Sequence, residues 1–308
     1  MNTQFRIDSF GLLLAGAMLL GAGPAGADSR VIDLHQSADP RGQVEIDSVS
    51  GHVEVVGWER AEIAVSGTLG ERVERVDLSA DGDHATVHVV LRTRGLFHGG
   101  DESSAELVVH VPRDSLVRTS LVSADLVTHD LRGEQRLRTV SGDIHAELAR
   151  GGSVNSVSGE VKIGTSAAAD PAAALEVETI SGDVRLEGSV GDLRLQTVSG
   201  GAHIKLGTLT AARLKTISGD LEFAGSLSPT GHFEAESVSG TLTIDFATTP
   251  AADFDVESHT GSIENCFGPA PQTSHYGPGS HLVFRNGDGS GRVRISSLSG
   301  SIRLCNHL

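Results

Sequence analysis

The chain is poor in aromatic rings, sulfur and positive charge. Aromatic residues make up 4% of its 308 positions, with one tryptophan, Trp58, and one tyrosine, Tyr276. Sugar-binding β-helices usually present aromatic platforms, so this scarcity argues against a carbohydrate enzyme. The two cysteines show no paired zinc-ligand spacing, and no His-Glu-x-x-His occurs among the fourteen histidines. His84 and His88 are the one close pair, and they lie in strand-like sequence. Both methionines, Met1 and Met18, fall in the first 27 residues, which leaves Val, Ile, Leu and Phe to build the core. Lys plus Arg is 24 against 40 for Asp plus Glu, a net charge of −16, which excludes nucleic acid or anionic lipid held by general attraction. No apolar run reaches the length of a membrane helix. No Gly-x-Ser-x-Gly elbow and no phosphate-binding glycine loop in a strand–helix context is present. The Gly-Asp-Gly-Ser-Gly stretch at 287–291 reads as a turn.

What the chain has instead is a repeated marker. Thr-Ile-Ser-Gly-Asp-Val at Thr179–Val184 has relatives ending on Gly51, Gly142, Gly159, Gly200, Gly219, Gly240, Gly261 and Gly300, and a slipped copy puts Ala124 in the glycine position. From Ala124 to Gly261 the marker recurs every 17 to 23 residues, the period of a repeat architecture. Two residues after the glycine the chain is apolar in each regular copy (Val184, Leu221, Leu242), and so it is four after (Leu186, Ile204, Phe223) and five before (Leu195, Leu214, Val256). Charged or polar residues alternate with these columns. That is the period of strands with one buried face. The glycine supplies a corner that a Cβ would make costly, and the adjacent Ser and Thr can bond to the bend. The unit is strand, corner, strand, corner, and it buries its apolar side only by stacking. The pattern predicts an all-β chain: a single-stack, β-helix-like β-solenoid with an N-terminal β cap. The rival, a β-sandwich, has no need of a repeated corner. Ile180, Val184, Leu186, Leu195, Ile204, Leu214 and Leu221 are expected in the core.

Residues 1–27 read as a signal peptide, with Arg6, a short apolar run from Phe10 to Leu20, and Ala25-Gly26-Ala27 as the cleavage pattern. Residues 28–118 read as the cap region and 119–308 as the repeats. Segment 267–290 is rich in Pro and Gly and reads as an inserted loop, with regular coiling resuming at Arg292. Gly95–Ser104 reads as a surface loop, and Ala167–Ala174 as a bulge at one corner.

The chemistry in the sequence is sparse. Asp143, Glu160, Asp183 and Asp220 follow their marker glycines and would stack as a ladder, interrupted at Gly201. Such a ladder could hold calcium or resemble the acid cluster of a polysaccharide-cleaving β-helix. Asp after Gly is also good corner chemistry, and that is the reading adopted, with no catalytic, cofactor or metal residue assigned. Arg185, Arg194, Lys205, Arg213 and Lys215 could line one face, or simply solvate a strand. The Thr column (Thr139, Thr179, Thr197, Thr216) is expected to bond at the corner.

Cys266 and Cys305 each lie five residues after a marker glycine, Gly261 and Gly300. With a full coil between them they would be nearly 10 Å apart and unable to bond. If 267–290 is an excursion, the coils are neighbours and the Cα atoms come roughly 5 Å apart. The composition of that segment favours the excursion, and the export signal favours oxidation. A Cys266–Cys305 disulfide tying down the C-terminal coil is therefore expected. Two reduced, buried cysteines are the alternative.

The repeated Thr-Val-Ser-Gly-Asp-Val unit, with Ala105–Pro112 before the first regular copies, resembles the bacterial putative-adhesin family of β-strand-repeat proteins, domain of unknown function 4097, over about residues 40–305. The resemblance implies an exported β-solenoid without known catalytic residues, with roles in adhesion or envelope-stress signalling. The expected function is a non-enzymatic binding, adhesin-like or scaffold module of the cell envelope, in the periplasm or at the cell surface, whose partner is an envelope protein or glycan. A carbohydrate-active enzyme using the Asp ladder and an envelope-stress sensor are the alternatives.

Overall fold

The computed structural model describes residues 30–92, 104–165, 170–273, 278–288 and 290–306. The signal-peptide segment and most of the Gly95–Ser104 loop lie outside these residues, as do three of the alanines at 167–169. The described chain is all-β, and none of its residues is helical.

Its N-terminal strands are β1 (Arg30–Ser37), β2 (Gln43–Trp58), β3 (Glu62–Leu69), β4 (Val73–Asp81), β5 (His84–Leu91), β6 (Ala105–Pro112) and β7 (Leu116–His129). Then come β8 (Gln135–Ser141), β9 (Ile144–Leu148), β10 (Gly151–Ser158), β11 (Val161–Thr165), β12 (Ala174–Ser181), β13 (Val184–Gly188), β14 (Asp192–Ser199), β15 (Ala202–Ser218) and β16 (Leu221–Ser239). The last are β17 (Leu242–Phe246), β18 (Ala252–Ser258), β19 (Ile263–Asn265), β20 (Gln272–Thr273), β21 (Ser280–Arg285), β22 (Gly291–Ser299) and β23 (Ile302–Asn306).

Two parallel ladders run the length of the molecule and meet at the marker corners. Strands before the glycine stack as β2–β7–β8–β10–β12–β14–β15–β16–β22–β18. Strands after it stack as β2–β7–β9–β11–β13–β15–β16–β17–β23–β19. Register is strict: Ser141, Ser158, Ser181, Ser199, Ser218 and Ser239 are successive partners. Ala124 stands opposite Gly51, the glycine place of its own repeat. Antiparallel strands close the ends, β3 on β6 and β4 on β5 at one, β21 on β18 at the other. These cover edges that would otherwise invite another chain.

The stacking order departs from chain order at the far end. The last repeat in sequence, β22 and β23, lies between the Gly240 repeat and the Gly261 repeat. The repeat that ends the sequence therefore does not end the stack. The described parts of segment 267–290 lie beyond the Gly261 repeat, where β21 pairs with β18 and β20 pairs with the far side of β21. Cys266 and Cys305 are joined, with Cα atoms 4.8 Å apart, so the bond ties a penultimate layer to the outermost one.

The columns two and four residues after the glycine and five before it are buried, among them Val184, Leu186, Leu195, Ile204, Leu214 and Leu221. Ile180 corrects the expected core: it is 53% exposed. Thr179 takes the inward position next to it, and period-two alternation leaves Ile180 outside.

Inward hydroxyls form a further column three residues before the glycine. Ser48, Thr139, Ser156 and Thr197 donate to the carbonyl two residues on, at 3.3–3.4 Å. The hydroxyls of Thr179, Thr216, Ser237 and Ser297 are buried without a partner. An unpaired buried hydroxyl carries a desolvation penalty that a methyl group does not. Thr179→Val and Thr216→Val should therefore raise stability by about 1 kcal/mol, and Thr139→Val and Thr197→Val should gain less. Denaturant midpoints of the four variants check the contrast.

Candidate functional site

The residue two positions before each marker glycine is aliphatic and faces solvent. Val49, Val122, Val140, Val157, Ile180, Val198, Ile217, Val238 and Leu298 are each 39–53% exposed. In-register pairing places them one above the next, and His259 occupies the same place in the outermost repeat. At the usual inter-strand spacing the ridge is roughly 40 Å long. Scattered apolar residues are ordinary on a protein surface, but a contiguous apolar strip of this length marks a site of interaction. Beside it a second outward column, four residues before the glycine, carries Arg138, Asn155, Glu178, Gln196, Lys215 and Glu236. Ridge and column line one open groove of about 1070 Å³.

The sequence conceals this ridge because Val and Ile in a strand read as core. The signal was the alternation itself: a buried Thr or Ser three before the glycine forces the next residue outward.

The carboxylate column beyond the corner has a different job. Asp125 accepts from the backbone N–H of Asp143 at 2.9 Å, Asp143 from that of Glu160 at 2.7 Å, Asp183 from that of Gly201 at 2.9 Å and Asp220 from that of Thr241 at 2.8 Å. Each acid thus bonds the corner of the next repeat, and Gly201 keeps the donor although it lacks the carboxylate. Glu160 instead meets Lys162 and Arg185. Among the described residues no group of three or more His, Cys, Asp or Glu is placed to share a metal ion. A charge-assisted bond of this kind contributes more than a neutral one. Asp183→Ala should cost about 1–2 kcal/mol in thermal or denaturant unfolding, whereas Asp183→Asn retains an acceptor and should cost less.

The basic residues are not gathered on one face. Arg194, Arg213 and Lys215 stand on strands before the corner, while Arg185 and Lys205 stand on strands after it. Most meet an acid of an adjoining repeat: Arg194 with Glu176 at 3.3 Å, Arg213 with Glu234 at 2.7 Å and Lys215 with Glu236 at 2.7 Å. The Arg213 bond holds the Glu234 carboxyl below its ordinary value. His84 and His88 face Glu45 and Asp47 of β2, at 3.6 and 3.7 Å.

At the start of the stack His129 bridges Glu54 and Asp130, at 2.9 Å to each. Bonding to Glu54 first, and then to Asp130, raises its pKa above the ordinary imidazole value. A raised folded-state pKa stabilises fully below the unfolded value, and the contribution is lost as pH rises through the folded one. His129→Gln should therefore narrow the difference in unfolding free energy between about pH 5.5 and about pH 8.5, measured by denaturant titration.

The family model for Toastrack DUF4097 matches residues 41–305. No curated protein is a match for the chain. A solved structure from Parabacteroides distasonis ATCC 8503, described as a putative lipid binding protein, is similar with a TM-score of 0.50 at 10% identity, covering 89% of this chain and 98% of that one. A putative adhesin from Bacteroides fragilis NCTC 9343 gives a TM-score of 0.41 at 12% identity, covering 90% and 97%. At these identities the first likeness shows the fold alone.

Proposed function

The chain belongs to the Toastrack DUF4097 family, and from that premise we propose that it is a non-enzymatic β-solenoid, exported to the bacterial cell envelope, that binds through its aliphatic ridge. Two parallel ladders meeting at a repeated corner support the solenoid reading. On this reading residues 28–118 form the N-terminal cap and 119–308 the repeats, and the marker glycines are structural. The Cys266–Cys305 bond fits an oxidising compartment.

The observation that carries the binding role is the ridge: nine large aliphatic side chains held in solvent in strict register. A ladder of β-branched residues at a corner could serve strand propensity alone. It would then tolerate polar β-branched replacements without consequence outside the fold. The carboxylates that an enzyme would need bond backbone N–H groups of the next repeat instead.

Incubation of the mature chain with a panel of envelope polysaccharides separates module from enzyme. The expected result is no turnover by the wild type. Turnover lost in Asp183→Asn and Asp220→Asn would overturn the reading.

A further inference from the structure

We propose that the ridge is the interface of a twofold homodimer in which two copies pack antiparallel, with the axis along the strand direction between the repeats of Ile180 and Val198. The inference rests on the reading of the ridge as a binding surface and names its occupant.

The first argument is period. The ridge presents one side chain per inter-strand spacing, about 4.8 Å, over roughly 40 Å. An extended peptide laid along it would offer one side chain on a face every two residues, about 6.7 Å, and would fall out of step within a few positions. Another in-register parallel stack shares the period over the whole length, and a second copy of this chain is such a stack. Interdigitation of identical ladders is the packing of a dry zipper, and a closed twofold prevents its continuation into a fibre.

The second argument is charge. The chain carries −16 overall, yet from Ser120 to Ser296 the column beside the ridge is balanced, with Arg138 and Lys215 against Glu178 and Glu236. A twofold axis along the strands sets the column of one copy against the same column of the other in reverse order. With the axis between the Ile180 and Val198 repeats, Ile180 meets Val198 of the second copy, Val157 meets Ile217, and Val140 meets Val238. Arg138 then meets Glu236, twice by symmetry, and Lys215 meets Asn155. On the other flank Asp143 falls opposite Thr241 and Asp183 opposite Gly201, the gaps in the acid column. Two like-charge pairs result: Glu160 opposite Asp220, where Glu160 is covered by Lys162 and Arg185, and Asp47 opposite Glu257 at the ends of the stack, where Asp47 faces His88. Shifting the axis by half a repeat toward the N-terminal cap would set Arg138 against Lys215.

Sedimentation of the mature chain across micromolar concentrations, with melting temperature as the control for folding, tests this. The wild type should sediment as a dimer and Ile180→Glu as a folded monomer. Arg138→Glu and Glu236→Arg should each shift the equilibrium toward monomer, and the double variant should recover the dimer, because the swap restores both pairs. A monomeric wild type, a dimer indifferent to Ile180→Glu, or a double variant as weak as the singles would each overturn the proposal. Should the wild type be monomeric, retention of envelope extract by wild type but not by Ile180→Glu overturns the dimer alone. Equal retention by both overturns the binding role of the ridge as well.

Discussion

Gly200→Ala should disrupt the central repeats, at a cost of about 4 kcal/mol or more, while Gly201→Ala should leave the melting temperature nearly unchanged. Gly200 has a φ of 119°, in a region that L side chains rarely adopt. A Cβ there would sit 2.3 Å from the carbonyl oxygen of Gly182 in the repeat below. That oxygen belongs to backbone held in register on both sides, so it cannot withdraw without breaking the ladder. At Gly201 the nearest atom is 3.4 Å away, the Oδ1 of Asp183, and φ lies outside the left-handed region. Two adjacent glycines thus divide the roles of corner and spacer. Gly182→Val and Gly219→Val should behave like Gly200→Ala, since their Cβ positions fall 2.0 and 2.1 Å from the carbonyl below. Thermal unfolding of the variants decides it, and equal stability across the set would remove the corner argument.

Replacing both Cys266 and Cys305 by serine should cost roughly 3–4 kcal/mol. The bond closes a loop with a sequence separation of 39. Loss of loop-closure entropy from the unfolded chain grows with the logarithm of that length. The threaded order adds a reason for the effect to be local as well. The repeat of β22 and β23 is held between two others, whereas β18 and β19 form the outermost repeat, with only the short antiparallel strands β21 and β20 beyond β18. Without the bond, hydrogen exchange should rise first in β18 and β19. Denaturant unfolding under non-reducing conditions should show the loss, and reductant should bring the wild type to the same midpoint. Two free thiols in the unreduced protein would contradict both the bond and the neighbouring register.

The repeat made most of this architecture legible. Corner glycines, the +2, +4 and −5 columns and the identical offsets of Cys266 and Cys305 are all local patterns repeated in register, and stacking converts each into a spatial column. Order along the stack was not legible. Nothing near Gly261 or Gly300 tells which repeat sits outermost, because either could pair with the Gly240 repeat through the same residues. The threading depends on where the chain returns after 267–290, a tertiary matter. The ridge was missed for another reason. Ile180 is as apolar as Leu186, and hydrophobicity alone assigns both to the core. Only the buried Thr179 beside it, a polar residue in an inward place, shows which of the two neighbours must face water. The Asp ladder was legible as a column, and its bonds to the next corner explain why Asp recurs there without a catalytic role.

The claim that the ridge is where this protein acts is tested most directly by one triple variant, Ile180→Thr, Val198→Thr and Ile217→Thr, compared with wild type for retention of a ridge partner, a second soluble copy of the chain or solubilised envelope material, on the immobilised mature chain. Threonine preserves the β-branched shape and the strand preference, and none of the three side chains belongs to the buried core. The account predicts an unchanged melting temperature together with lost retention. Retention equal to wild type, from a protein equally stable, would contradict it.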